Sequence, residues 1–255
     1  MKARSEKGAL TRQNILRAAS DLLHARGVAA TSPDHVIDAS GTGKGQFYYY
    51  FASKEGLVHA VLENYLEEFR SGRHPACFEI KTWNDLERWF AAHLDLQKRF
   101  AMTRSCPFGT IGNGVTEKDE LVRQDLNLIF EIMRSNLTAF FVREGASATA
   151  KETKPEELAD FCIAVVEGAL LMGKIKRDAR TAEAAVRTCL AQLKREFAST
   201  GQAGAVGPGA GEDSALLRRE VRELRDALER IRENSDRVDA SLHMTSSGDE
   251  PRPGT

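Results

Sequence analysis

Residues 41–54 constrain this chain more than any other stretch. They read Gly41-Thr42-Gly43-Lys44-Gly45-Gln46-Phe47-Tyr48-Tyr49-Tyr50-Phe51-Ala52-Ser53-Lys54. Three consecutive tyrosines with two lysines and three glycines do not make a core element. Phe47 and Phe51 are four residues apart, so one face of a helix here can be apolar while phenols and ammonium groups project elsewhere. Tyr hydroxyls and Lys ammonium groups together suit a DNA backbone: they bond phosphate oxygens, and the rings can lie against sugars and base edges. Taken alone, the stretch would also fit an aromatic surface loop.

The flanking sequence favours the first reading. Thr11 to Arg26 carries Ile15, Ala19, Leu22 and Leu23 at helical spacing, and Gly27 stands where a C-cap glycine belongs. Ser32-Pro33-Asp34 reads as a helix start, with Ser as N-cap, Pro in the first turn and Asp at the positive end of the dipole. Val36, Ile37 and Ala39 supply that helix's buried side, and Gly41 ends it. A second short helix follows from about Gly43 to Tyr49. Ser53 caps a longer one bearing Leu57, Val58, Val61, Leu62, Tyr65 and Leu66. Two short helices joined at a glycine turn, between two longer supports, form a helix-turn-helix whose second helix enters the major groove.

On these residues the chain resembles the tetracycline-repressor (TetR) family of bacterial transcription regulators. The resemblance runs from Thr11-Arg12-Gln13-Asn14-Ile15-Leu16 through Ala18-Ala19, Arg26-Gly27 and Ala30-Thr31-Ser32. It continues through Lys44 to Phe51 and ends at Ser53-Lys54-Glu55. It implies an all-α protein with DNA contact at Lys44, Gly45, Gln46, Tyr48, Tyr49 and Tyr50. Thr31, Ser32 and Thr42 join that set, and Lys54 would meet phosphate. Position 43 is often polar in such proteins; Gly43 here removes one contact.

Composition places any attraction to nucleic acid locally. The 255 residues are 42% hydrophobic and carry a net charge of −1, so no global basic field exists. Residues 1–60 hold eight Lys/Arg against five Asp/Glu, and Lys2, Arg4, Lys7 and Arg12 face only Glu6 in the first twelve positions. That basic arm could follow a groove or be a solvated terminus. No apolar run is long enough to span a membrane and no signal-peptide pattern is present, which fits a cytoplasmic protein. Cys77, Cys106, Cys162 and Cys189 lack Cys-x-x-Cys spacing, so neither a metal site nor a cofactor is expected, and a reducing compartment fits best.

The middle of the chain reads as helix throughout. Thr82 to Ala101 puts Leu86, Trp89, Phe90, His93, Leu94 and Gln97 on one side. Glu117 to Arg143 presents a broad apolar surface, Pro155 opens a helix to about Lys176, and a last one covers Thr181 to about Phe197. Ala164, Gly168, Ala169 and Gly173 would allow a partner helix close. The resemblance implies that the last two helices build a homodimer as a four-helix bundle; ordinary packing within one subunit would use the same residues. Trp89, Phe90, Phe108, Phe130 and Met133 are candidates for the wall of a small-molecule effector pocket, although such residues at helical spacing more often simply fill a core.

Arg104-Ser105-Cys106-Pro107-Phe108-Gly109-Thr110 interrupts the helices. Pro107 and Gly109 put Cys106 at a bend, where a nearby cation would make the thiol reactive. Lys174 is the candidate neighbour. The segment resembles a subgroup of the family with a cysteine at this bend, some of whose members respond to electrophiles or oxidants. A free cysteine is equally at home as an inert buried group.

These readings divide the chain into a DNA-binding domain at 1–67 and a helical ligand-binding and dimerisation domain at 68–200. A Gly-, Ala- and Pro-rich linker follows at 201–211, then a coiled-coil-like helix at 212–242 and a polar tail at 243–255. In the helix, Leu217, Val221, Leu224, Leu228, Ile231, Val238 and Leu242 alternate steps of three and four, with Ser235 filling a gap, and Glu220 could pair with Arg225 across a parallel dimer. The expected function is a ligand-responsive homodimeric regulator, a repressor, whose partners are double-stranded operator DNA and a small effector. The alternative is an assembly protein driven by the coiled coil. Catalysis is not expected, since no Ser/His/Asp set, metal cluster or phosphate-binding glycine loop is present.

Overall fold

The structure is a computed structural model that describes residues 2–145 and 153–198. The expectations for 201–211, 212–242 and 243–255 lie outside the described residues. Within them every regular element is a helix: α1 (Lys2–Arg26), α2 (Pro33–Ser40), α3 (Lys44–Tyr50), α4 (Lys54–Arg70), α5 (Trp83–Lys98), α6 (Pro107–Gly112), α7 (Glu120–Arg143), α8 (Pro155–Lys176) and α9 (Ala179–Ala198).

Local chemistry sets the boundaries of the N-terminal head. Ser32 Oγ accepts from the His35 amide at 3.3 Å while His35 Nδ1 accepts from the Ser32 amide at 3.2 Å, so both orphan donors at the start of α2 are satisfied. Gly41 closes that helix in the left-handed region at φ 65°, where a side chain would be strained. Ser53 Oγ caps α4 by accepting from the Gly56 amide at 3.0 Å. Phe47 is the only wholly buried residue of α3; it packs with Ile15, Ala19, Val36, Phe51, Leu57 and Val58 in one core. Burying such a ring contributes about 2–3 kcal/mol.

The body is built on α4, which belongs to both parts. α4 packs on α1 and α7, α7 on α8, and α8 on α9. Polar ties fix these crossings: Ser20 with Tyr65 at 2.9 Å joins α1 to α4, His59 Nδ1 with Asp125 at 2.6 Å joins α4 to α7, and Arg134 with Asp160 at 2.8 Å joins α7 to α8. Thr82 and Asp85 start α5 with reciprocal cap bonds.

Several boundaries differ from the sequence reading, among them the end of α5, which stops at Lys98 and not at Ala101. α1 begins at Lys2, not Thr11, so the basic stretch continues the helix. α7 starts at Glu120, not Glu117, because Thr116 and Asp119 close a turn, the Thr116 amide donating to Asp119 at 2.8 Å. The expected bend at Pro107 is the first residue of a short helix, where the missing amide hydrogen costs nothing.

Candidate DNA-binding site

α3 is a short helix anchored by one ring. Because Phe47 faces the core, the residues around it face out: Lys44, Gly45, Gln46, Tyr48 and Tyr49 are exposed, Tyr48 at 54% and Tyr49 at 67%. Gln46 Oε1 accepts from the Gly43 amide at 3.2 Å, which stiffens the start of the helix without a capping side chain at position 43 and leaves the Gln46 amide nitrogen to donate. Lys44 Nζ lies 2.9 Å from Asp34 of α2, which raises the pKa of the ammonium group. Lys54 opens α4 beside its N-cap, half-buried, within the field of Asp119.

Two of the expected contacts are corrected. Thr31 is buried and donates its hydroxyl to the Gly27 carbonyl at 2.8 Å, so it holds the α1–α2 corner together. Tyr50 is half-buried and meets Tyr49 edge-on at 5.0 Å between centroids, and its hydroxyl donates to the Gly8 carbonyl at 2.9 Å, tying the end of α3 to the first turns of α1. A Cβ on residue 8 would stand 3.0 Å from that hydroxyl, so glycine makes the approach possible. Ser32 spends its side chain on the cap of α2, and Thr42 shares a 2.8 Å bond with Ser40; both stay near the surface.

The expected pocket residues are core. Trp89, Phe90, Phe108 and Met133 are buried and Phe130 is half-buried. Phe108 stacks edge-on to Tyr65 at 5.1 Å between centroids and approaches Phe69 and His74. A cavity of about 430 Å³ lies elsewhere, between the head and the α6–α7 turn, and none of the five lines it. Its apolar walls are Val28, Val58, Val115 and Val122, with Lys54, Glu55 and Asp119 among the polar residues around them.

The core also holds polar groups, one of which, His93, lies on the side of α5 that the helical spacing marked. His74 stacks on Phe69 at 4.2 Å, and His93 bonds the Trp89 carbonyl through Nδ1 at 2.8 Å. Burial lowers both imidazoles to a pKa of about 4, and for His74 the neighbouring His93 adds to the lowering. His24 bonds the Ser105 carbonyl at 2.7 Å and is likewise lowered, chiefly by burial.

The expected thiol sensor is corrected as well. Cys106 is buried, and the ionisable group that bears on it is Glu167 of α8, not Lys174. Burial pushes the thiol well above its ordinary pKa and the neighbouring carboxyl pushes the same way, so both disfavour the thiolate that a reactive cysteine needs. Glu167 is itself raised by burial. A Cβ at Gly109 would stand 2.4 Å from Glu167 Oε2, so α6 meets α8 across a bare backbone. The sequence showed the bend but not what packs on it.

Comparison with known proteins agrees with this architecture. The family model described as bacterial regulatory proteins, tetR family, matches residues 15–61, the head's helices from mid-α1 into α4. The model described as transcriptional regulator LmrA/YxaF-like, C-terminal domain, matches residues 84–188, from α5 into α9. An uncharacterised HTH-type transcriptional regulator of Lactococcus lactis is 26% identical over 185 residues, 68% of this chain and 88% of that protein. The HTH-type transcriptional repressor DhaR of a Mycobacterium species is 24% identical over 170 residues, 66% of this chain and 84% of that protein. A crystal structure of a TetR-family regulator from Agrobacterium tumefaciens shares the fold, with a TM-score of 0.65 and 21% identity over 72% of this chain and 98% of its own. With its head and its body both matched in order, the chain belongs to the TetR family of bacterial transcription regulators.

Proposed function

We propose that the chain is a homodimeric, effector-controlled repressor that reads a near-palindromic operator with α3. The observation that carries this is the outward face of α3, where Lys44, Gln46, Tyr48 and Tyr49 stand exposed around the single buried Phe47. Gln46, Tyr48 and Tyr49 read base edges, Lys44 and Lys54 meet phosphate, and Ser32 and Thr42 border the same surface. The assignment as a repressor is supported by relatives so named, DhaR among them.

Control is placed in α4. It carries Lys54 at the DNA end and His59 one turn on, and His59 is bonded to Asp125 of α7. An effector that displaces α7 pulls α4 through this pair and changes the spacing of the two heads, which is a coupling between two sites. No helix among the described residues is long and apolar enough to cross a membrane.

Two substitutions separate the roles. Lys54→Ala is expected to weaken binding to every duplex and to flatten the salt dependence by about one phosphate contact. Gln46→Ala is expected to cost about 1–3 kcal/mol on the operator and little on unrelated DNA. A salt-titrated mobility-shift series reads both, and wild-type behaviour in both variants would remove α3 as the reading helix.

A further inference from the structure

The exposed face of the head carries carboxylates where a DNA-binding surface has no use for them. Asp34 and Asp38 lie one turn apart on α2, both exposed, and both act on Lys44 at the start of α3. Asp34 is the direct partner, with Oδ1 2.9 Å from Nζ, and the two side chains are 66% and 71% exposed. An ion pair this open adds little to stability, because water screens it and two long side chains lose freedom in forming it. Its position matters more than its strength. Lys44 is the cation at the head of the recognition helix, and a phosphate approaching it meets the Asp34 carboxylate already in place.

We propose that Asp34 sets the protein's affinity for DNA by competing with phosphate for Lys44. The inference rests on α3 being the reading helix. In the free protein the Lys44 charge is answered within the head. Binding DNA exchanges one anionic partner for another and leaves Asp34 uncompensated beside a polyanion. The net counterion release from this lysine is smaller than from a free one, and affinity falls for all sequences alike, since phosphate carries no base identity. Asp38, farther from Nζ, adds repulsion of the same sign. The device keeps a basic recognition helix from holding unrelated DNA too long, because affinity without sequence is almost wholly electrostatic.

The test is Asp34→Asn, which keeps the shape and removes the charge. Binding to an operator duplex and to an unrelated duplex is measured across a salt series, with thermal melting to check the fold. The variant is expected to bind both duplexes about three- to tenfold more tightly at 0.1 M salt, with a log–log salt slope steeper by up to about 0.9. In a Lys44→Ala background the same substitution is expected to gain less than twofold. Unchanged affinity in Asp34→Asn overturns the proposal. A loss confined to the operator overturns it too, because Asp34 would then be reading a base. An equal gain with Lys44 absent would show that Asp34 acts through bulk charge and not through this pair. Failure of the wild type to bind any duplex would instead be a failure of the reading of α3.

Discussion

Ile175→Asp in α8 is expected to yield a folded monomer that has lost its operator. Phe161, Met172 and Ile175 are 45%, 41% and 67% exposed, and with Gly168 they fall at spacings of seven, four and three, which is one helix face. Nothing within 4 Å would meet a Cβ at Gly168, so that face is open. A row of large apolar side chains left in water is the surface that a second copy covers in the proposed four-helix bundle. A carboxylate at Ile175, the most exposed of the three, would have to be buried unpaired on association, which should weaken the dimer at least a hundredfold. Operator binding should fall with it, since half-site contacts alone are weak and one subunit cannot span two grooves. Sedimentation and a mobility shift on the same sample check both statements. An operator-binding dimer from this variant would move the interface off α8.

Acidification is the second large effect expected. His74 and His93 ionise near pH 4 in the folded chain and near 6.5 when unfolded. A lowered imidazole pKa means that the unfolded state takes up the proton first, so stability falls as pH drops from about 6.5 towards 4. At pH 5 each histidine should have removed about 2 kcal/mol. His24, lowered in the same way, adds to the loss, whereas the raised carboxyls Asp125 and Glu167 work against it. Urea unfolding at pH 7, 6 and 5 should show the midpoint falling steeply, and His74→Gln with His93→Gln should flatten the profile. A wild-type midpoint that does not move between pH 7 and 5 would mean that the two imidazoles accept protons in the folded state.

What the sequence disclosed and what it withheld divide along chain distance. Ser32, Pro33, Gly41 and Ser53 announced the helix-turn-helix because a cap is settled among residues three or four apart. Phe47 and Phe51 announced the buried side of α3 for the same reason. Tyr48, Tyr49 and Tyr50 were indistinguishable as letters; what separates them is the carbonyl of Gly8, 42 residues away on a helix longer than its periodicity suggested. Thr31 looked like a surface residue because its partner is a backbone carbonyl, which no side-chain pattern records. Cys106 needed a neighbour to acquire a chemistry, and periodicity gives the direction in which a residue points without naming what it meets. The structure put Glu167 there, and the sign of the effect reversed.

The bare backbone at Gly109 also has a consequence for descent. Glu167 Oε2 fills the volume that any side chain at 109 would need. A lineage that acquires alanine at 109 must shorten the residue at 167 or swing its end aside, which the flexible side chain allows but its burial opposes. The two positions should therefore change together across relatives that retain this α6–α8 crossing, and a chimera that joins halves from differently paired lineages should be less stable than either parent.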